Sequence, residues 1–382
     1  MKNFFLKNNF FHLNLALFSV FTIWWVIIHP FNLDVLDVQK EHWSTLYWIF
    51  AVFAGCTGMI VSKRFGFTKS IIGKAIVSFS VGLLLQALGQ IVDSYYSILV
   101  GKEIVYPSIA EIGYTGSIFA YIYGSYLLAR YVVVSTCFKS LIKNLIVWLT
   151  PVAMFGFSYF SYLQNYNFEE IRLVQIIFDF GYPILQSIYV ALAIFVLFRS
   201  HCIQGGVLRR PISFLVTALI IQYLADSYFV YEFNRGVWYS ANLNDYLYLV
   251  GYFVLVTAII YIDDVVQNAV QKNSAEMQNV ISTDETKELY GVYVSLLQTI
   301  IKSQEEVIGP LAWTEVGQVP NIVIKDKENI QLEILGDPKK TIDSLLENFF
   351  NVFGPTALYV AKNSTYRLTK NMQTHQVPDK LL

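Results

Sequence analysis

Two aspartates end apolar segments of this chain in the same local sequence. Asp93-Ser94-Tyr95 closes one such segment, and Asp226-Ser227-Tyr228 closes another 133 positions later. Three apolar segments begin with an acid that is followed three positions later by tyrosine. The candidate site residues given by these patterns are Asp93, Glu111, Tyr114, Asp179, Tyr182, Asp226, Asp245 and Tyr248.

Carboxylates and phenols beside long apolar segments support two kinds of chemistry. A carboxylate inside or just inside a membrane span is costly, so each is expected to face a polar partner or a wet cavity. A cavity lined by five acids would bind a cation, an amine or another polar ligand. Alternatively, each acid accepts a hydrogen bond from a neighbouring tyrosine or serine and joins two helices. Solvated acids within an interfacial belt of aromatic residues are a third interpretation.

The position of an acid along its helix ranks the five candidates. Glu111, Asp179 and Asp245 come at the start of a predicted helix, where the helix dipole stabilises a negative side chain. Asp93 and Asp226 come at the end of a predicted helix, where the dipole disfavours them. These two therefore require another partner and are the strongest functional candidates.

The composition is that of a membrane protein. Of 382 residues, 55% are hydrophobic and only 14% are charged, and the mean hydropathy is +0.48. Soluble domains carry roughly 25% charged residues. Eight apolar segments without Lys or Arg are close to the roughly 20 residues that cross a bilayer. We predict spans at 13–29, 43–61, 75–92, 109–129, 144–163, 174–198, 212–232 and 246–262.

The basic residues predict the orientation. Twelve Lys and Arg residues fall in one set of loops, from Lys2 to Arg210, and only four fall in the opposite set. The positive-inside rule then places both termini in the cytoplasm of a cell whose inner (plasma) membrane holds the chain. A net charge of -1 argues against nucleic-acid binding, and the lipid bilayer is the expected surrounding.

The expected fold is an all-α polytopic membrane bundle with a probable internal repeat, followed by a small cytoplasmic α+β domain. The repeated Asp-Ser-Tyr and acid-x-x-Tyr patterns carry the prediction of a repeat. The predicted boundaries are 1–262 for the transmembrane domain, 263–282 for a helical linker, 283–372 for the cytoplasmic domain and 373–382 for a flexible tail.

The cytoplasmic part shows several local signals. Span eight is expected to continue as a helix past Tyr261, and Ser282 to Glu285 has the pattern of a capping box. The segments 321–325 and 329–335 alternate as two strands around a polar turn. Helices are predicted up to Phe353 and from Gly354-Pro355 to about Met372. The sequence has no phosphate-binding glycine loop and no catalytic constellation, so we predict no enzyme activity and no cofactor.

The segment Pro107-Ser108-Ile109-Ala110-Glu111-Ile112-Gly113-Tyr114 resembles part of a known class of membrane module. Ala225-Asp226-Ser227-Tyr228, followed by Asp245-x-x-Tyr248-x-x-Gly251-Tyr252, is similar to its last hairpin. The class is the N-terminal sensory module, of seven or eight helices, of some bacterial and archaeal histidine kinases and diguanylate cyclases. The likeness covers roughly residues 70–262 and implies a membrane input module with a cytoplasmic output.

The output end departs from that class. Residues 263–308 contain no phospho-accepting histidine, and the Gly-Gly-Asp-Glu-Phe signature of a cyclase is missing. The resemblance then implies a sensor whose output domain is not catalytic.

Three functions follow as expectations. The first is a receptor that couples an outward acidic and aromatic cavity to a cytoplasmic protein partner bound by 283–372 and that forms a homodimer through 263–308. The second is a small-solute transporter or channel built from two parallel four-helix repeats. The third is a scaffold in which the acids and tyrosines only join helices.

Overall fold

A computed structural model describes residues 8–29, 34–96, 106–133, 141–160, 172–200, 208–276, 289–309, 311–327 and 329–382. Helices occupy most of the described chain before residue 277, and each of the eight predicted spans overlaps at least one of them; the predicted span 43–61 includes parts of two helices, and the predicted span 144–163 extends beyond the described residues. Their bounds are α1 Asn9–Ile28, α2 Asp34–Leu46, α3 Trp48–Arg64, α4 Ile71–Tyr95, α5 Ala110–Val133, α6 Leu141–Ser158, α7 Leu173–Ser200, α8 Arg209–Asn234 and α9 Leu243–Glu276.

Six helical segments within the described residues are long and apolar enough to cross a membrane. They are Asn9–Ile28, Asp37–Arg64, Ile71–Tyr95, Leu173–Leu197, Arg210–Phe233 and Leu243–Asn268. The second of these joins α2 and α3. Helix α5 has 24 residues, but its tyrosines, serines and glycines lower its hydropathy. The chain is therefore a multi-pass membrane protein on the length and composition of its helices.

Helices α4 and α5 pack closely because glycines line their contact. A Cβ at Gly113 would lie 2.6 Å from the Leu85 carbonyl oxygen, and one at Gly89 would lie 2.7 Å from the Tyr114 ring. Small residues let two helix backbones approach in this way. The close approach brings the start of α5 against the end of α4, which is where Asp93 and Tyr114 lie.

The turn between α3 and α4 has two features that fix its shape. Gly66 has a φ of +81°, a left-handed conformation that residues with a Cβ rarely adopt. Ser70 caps α4, because its hydroxyl oxygen accepts a hydrogen bond of 3.0 Å from the Gly73 amide.

Residues after 288 form an α+β unit, as predicted. It contains α10 Leu289–Ile308, α11 Leu311–Gly317, β1 Ile322–Asp326, β2 Gln331–Ile334, α12 Pro338–Phe353 and α13 Pro355–Lys370. The strands pair antiparallel, with Ile322 opposite Ile334 and Ile324 opposite Leu332. Asp337 caps α12 by accepting the amide hydrogens of the first helical turn.

The apolar face of α10 packs inside this unit. Leu296, Leu297, Ile300 and Ile301 are all fully buried within the single chain. The predicted homodimer through 263–308 therefore cannot use these four side chains unless the unit opens. The predicted capping box at Ser282 to Glu285 lies outside the described residues, and the linker is described only as far as residue 276.

The segment 373–382 is packed rather than loose, so the prediction of a flexible tail is wrong. Val377 and Leu381 are buried. The Asp343 carboxylate accepts hydrogen bonds from the amides of Asp379 and Lys380, at 3.1 and 3.0 Å. Two buried apolar side chains separated by four positions gave too weak a pattern to distinguish this segment from a tail.

The α+β unit docks on the end of the bundle that the basic loops predict to be cytoplasmic. The Thr356 hydroxyl donates a hydrogen bond of 2.6 Å to the carbonyl oxygen of Arg64. A Cβ at Gly66 would lie 2.7 Å from Cδ of Pro355, so the start of α13 touches the α3–α4 turn directly. At the same level the Arg64 guanidinium pairs with Asp263 on α9. We call Arg64, Asp263, Thr356 and Gly354 the cytoplasmic junction.

Candidate functional site

The two aspartates of the repeated Asp-Ser-Tyr sequence make equivalent hydrogen bonds. The Tyr114 hydroxyl donates to Oδ2 of Asp93, and the Tyr248 hydroxyl donates to Oδ1 of Asp226, both at 2.6 Å. In each case the tyrosine lies in the first two turns of the helix that follows the aspartate. The partner that the dipole argument required for Asp93 and Asp226 is thus the tyrosine of the acid-x-x-Tyr pattern.

Asp226 has three side-chain hydrogen-bond partners among the described residues. Its Oδ2 accepts a hydrogen bond of 2.7 Å from the side-chain amide of Gln186 on α7. The amide of Gln222, one turn earlier on α8, lies 3.4 Å from both carboxylate oxygens. With Tyr248 on α9, donors from three helices converge on this carboxylate. Such convergence stabilises the charged form of a carboxylate in an apolar surrounding.

Glu111 and Asp179 connect α5 and α7. The Tyr182 hydroxyl donates to Oε2 of Glu111, and the Thr115 hydroxyl lies 3.2 Å from the Tyr182 oxygen. The Tyr106 hydroxyl donates to Oδ1 of Asp179 at 2.8 Å. Tyr182 therefore bonds Glu111 on another helix. Asp179, three residues before Tyr182, accepts its hydrogen bond from Tyr106, which the sequence patterns did not include.

Asp245 holds the connection between α8 and α9. Its Oδ2 accepts hydrogen bonds of 2.9 Å from the Ser44 hydroxyl and from the Ala241 amide. The side chain of Asn242 caps α9, because its oxygen accepts the amides of Asn244 and Asp245. Asp245 is 5% exposed and has no tyrosine donor among the described residues. Its geometry is that of a structural residue at a helix start.

A second group of polar side chains, which the sequence patterns missed, lies deeper in the bundle. The Gln90 amide donates to the hydroxyls of Tyr47 and Tyr252, at 2.7 and 2.9 Å. The Gln86 amide donates to the Ser117 hydroxyl at 2.7 Å, and the Tyr252 hydroxyl lies 3.4 Å from the Gln86 oxygen. The available signal was the presence of five glutamines inside the predicted spans, at 86, 90, 175, 186 and 222, because polar side chains in spans face the bundle interior.

Several buried polar atoms of this deeper group lack a hydrogen-bond partner within the described part of the chain. They are Gln90 Oε1, the hydroxyls of Tyr121 and Tyr189, and Ser125 Oγ. Gln90 is 5% exposed, and the other three are 1% exposed or less. An unsatisfied buried hydroxyl costs roughly 1–3 kcal/mol. These four atoms are therefore free to bond a further polar group within the described part of the bundle.

The two groups are close enough to interact electrostatically. The Asp226 carboxylate acts on the hydroxyls of Tyr121, Tyr189 and Tyr252. The Tyr47 hydroxyl, which bonds Gln90, is within electrostatic range of Asp93 and Asp226. The predicted outer acids and the deeper amides and phenols thus form one continuous polar interior.

Among the residues that the structure describes, basic side chains do not balance the central acids. Across the described ranges, no Lys, Arg or His side chain hydrogen-bonds or ion-pairs with Asp93, Glu111 or Asp226. The only guanidinium at this end with a described side-chain bond to the site is Arg172, which donates to the Tyr106 carbonyl oxygen at 2.7 Å. The site is therefore rich in hydrogen-bond acceptors and poor in positive charge.

No protein-family model, curated protein or solved structure matches this chain. The resemblance to sensory modules of kinases and cyclases therefore stays a prediction from the sequence. The function has to be inferred from the polar interior and from its connection to the cytoplasmic junction.

Proposed function

We propose that this chain is a receptor of the inner (plasma) membrane with eight spans and cytoplasmic termini. Its outer site consists of Asp93, Tyr114, Asp226 and Tyr248. Its output is the α+β unit, which acts by binding another protein and not by catalysis. Eight helices at the predicted positions and the placement of basic residues in the loops support the span count and the orientation.

The observation that carries the proposal is the uninterrupted helix α9. It has 34 residues, and at ~1.5 Å per residue it is ~50 Å long, well beyond the ~30 Å hydrocarbon core. Tyr248 near its start bonds Asp226, and Asp263 further along pairs with Arg64. A rotation or shift of α9 at the outer site is therefore transmitted to the cytoplasmic junction through continuous helix.

The equivalent hydrogen bonds of Asp93 and Asp226 support an internal repeat of the hairpins α4–α5 and α8–α9. In each hairpin the acid lies in the second half of the first helix, two residues before its end for Asp93 and eight residues before its end for Asp226, and the tyrosine near the start of the second helix closes the contact. A ligand that takes the place of one tyrosine hydroxyl would break the tyrosine–aspartate hydrogen bond in one hairpin and leave it intact in the other. The hairpin with and without this hydrogen bond would be the two states between which the ligand selects.

Neutralising the outer acids tests the proposal without knowledge of the ligand. The double variant Asp93→Asn, Asp226→Asn should imitate a site whose negative charge is neutralised. We expect its amide hydrogen exchange in α12 and α13 to differ from that of the wild type, measured on the full chain in lipid nanodiscs. Asp37→Asn is the matched control, because Asp37 is 69% exposed and pairs only with Lys40 in the described structure. Unchanged exchange in the double variant would support the scaffold interpretation instead.

One observation favours a transporter as the second candidate. The chain of hydrogen bonds through Gln90, Tyr252, Gln86 and Ser117 extends the polar interior away from the outer end of the bundle. Transporters bind solutes at such interior positions between repeats. Substrate-dependent uptake into proteoliposomes that is abolished by Gln90→Leu, and unaffected by loss of residues 289–382, would favour transport over signalling.

A further inference from the structure

The deeper polar group has a composition that selects a class of ligand. It offers the carboxylate of Asp226 and the unpartnered oxygens of Gln90, Tyr121 and Tyr189. The Gln90 amide can be turned by 180° so that its two tyrosine partners exchange roles, but one of its polar atoms still lacks a partner. Tyr121 and Tyr189 come from α5 and α7, and their rings meet edge to face with centroids 6.0 Å apart.

Direct contacts bring these groups together in the bundle interior. The Gln90 amide bonds the Tyr252 hydroxyl at 2.9 Å, and the rings of Tyr121 and Tyr189 meet with centroids 6.0 Å apart. Gln186, three residues before Tyr189 on α7, donates to the Asp226 carboxylate at 2.7 Å. The carboxylate and the tyrosine hydroxyls are within electrostatic range of one another. They therefore surround one region between α4, α5, α7, α8 and α9.

We propose that this region binds a small organic cation, a protonated amine, between Asp226 and the hydroxyls of Tyr121 and Tyr189. An ammonium group donates hydrogen bonds and carries the positive charge that the described structure does not supply near Asp226. It would donate to the carboxylate and to the free oxygen acceptors. The rings of Tyr121, Tyr189, Tyr248 and Tyr252 add attraction between the cation and their π-faces.

The proposal favours an amine over two other occupants. A neutral polar molecule would satisfy the hydroxyls but would leave the Asp226 charge uncompensated by any cation. An inorganic monovalent cation would coordinate the same carboxylate, amide and hydroxyl oxygens, but it has no apolar portion to pack against the tyrosine rings. An organic ammonium ion uses the oxygen acceptors and the rings together. The inference deepens the proposed function, on which it rests for access from the outer side.

The test measures binding directly on the full chain in detergent micelles. A series of alkylammonium chlorides, from methylammonium to butylammonium, is titrated against thermal unfolding and by isothermal calorimetry, with sodium chloride at equal ionic strength as the reference. We expect saturable stabilisation by at least one alkylammonium ion above the sodium reference. Stabilisation by sodium alone, or by none of these salts, would overturn the proposal.

Three variants locate the site. Asp226→Asn should weaken binding at least about tenfold, because it removes a charge-assisted hydrogen bond. Tyr121→Phe and Tyr189→Phe should each weaken it about three- to tenfold. Each should leave the free protein as stable as the wild type or more stable, because an unsatisfied hydroxyl is removed. Tyr123→Phe is the matched control on the same helix, since Tyr123 is 50% exposed. Equal affinity in all four variants would place the amine elsewhere and refute the assignment.

The outcomes separate this inference from the proposed function. Binding without any change of hydrogen exchange in α12 and α13 would uphold the amine site and contradict the receptor. The opposite outcome is a change of hydrogen exchange in the double variant Asp93→Asn, Asp226→Asn together with no binding of amines to the wild type. It would support the coupling and contradict the amine site.

Discussion

The ion pair between Arg64 and Asp263 is asymmetric, and this asymmetry gives a sharp prediction. The Asp263 side chain is only 5% exposed, whereas the Arg64 side chain is 52% exposed. Arg64→Gln leaves a buried carboxylate without its cation, whereas Asp263→Asn leaves a guanidinium that water can reach. Breaking a fully buried pair costs ~3–5 kcal/mol. Because Arg64 is half exposed, we expect ~1–3 kcal/mol for Arg64→Gln and less than ~1 kcal/mol for Asp263→Asn.

The assay is unfolding of the full chain in mixed detergent micelles, compared for the two single variants and the double variant. The double variant should recover most of the stability that Arg64→Gln loses, since no buried charge is then left alone. Hydrogen exchange should also rise at the start of α13, where Thr356 bonds the Arg64 carbonyl. Lys63→Gln is the matched control, as Lys63 is an exposed neighbour. Equal losses in the two single variants, or no recovery in the double variant, would refute this description of the junction.

Three further predictions concern single residues. Tyr114→Phe and Tyr248→Phe should each lower the free energy of unfolding by ~1–2 kcal/mol and by similar amounts, because they make equivalent bonds to carboxylates; a clear difference in chemical denaturation would contradict the equivalence. Gly354→Ala should lower the free energy of unfolding by more than ~2 kcal/mol, because Gly354 has a φ of +66° and lies against the Phe65 carbonyl. Gly317→Ala is the control and should have little effect on the melting temperature, because a Cβ at Gly317 would have no neighbour within 4 Å. Burial raises the pKa of Glu315 from 4.5 to about 7, so the folded state binds a proton that the unfolded state has already released in this pH range. The free energy of unfolding should therefore fall by ~1–3 kcal/mol as the pH rises from about 4.5 to about 7. Melting curves of Glu315→Gln, recorded across that range, should lack this dependence.

The sequence predicted the acids and three tyrosines as site residues because both patterns are local, but it paired no tyrosine with a particular acid. The bonds of Tyr114 to Asp93 and of Tyr248 to Asp226 join consecutive helices, so the hairpin connection explains them. The bond of Tyr182 to Glu111 joins α5 and α7, and this contact depends on how helices that are not consecutive pack.

The parts that were missed depend on contacts that are remote in the sequence. Arg64 and Asp263 are separated by 199 positions, and their charges alone only predicted the cytoplasmic side of two spans. Gln90 meets Tyr47 and Tyr252 from two other helices, and no periodic pattern marks a glutamine that faces two phenols. The buried tail was missed because Val377 follows one short 3₁₀ turn and Leu381 ends another, without the repeat of a longer helix.

The central claim is that the outer site and the cytoplasmic junction are coupled through α9. Tyr248 and Asp263 lie 15 positions apart on this helix, or ~22 Å, and they share no described partner. A double-mutant cycle of Tyr248→Phe and Asp263→Asn, measured by unfolding in mixed micelles, tests the coupling directly. Distant independent sites add within about 0.5 kcal/mol. The receptor predicts an interaction energy of ~1 kcal/mol or more, and strict additivity would contradict it.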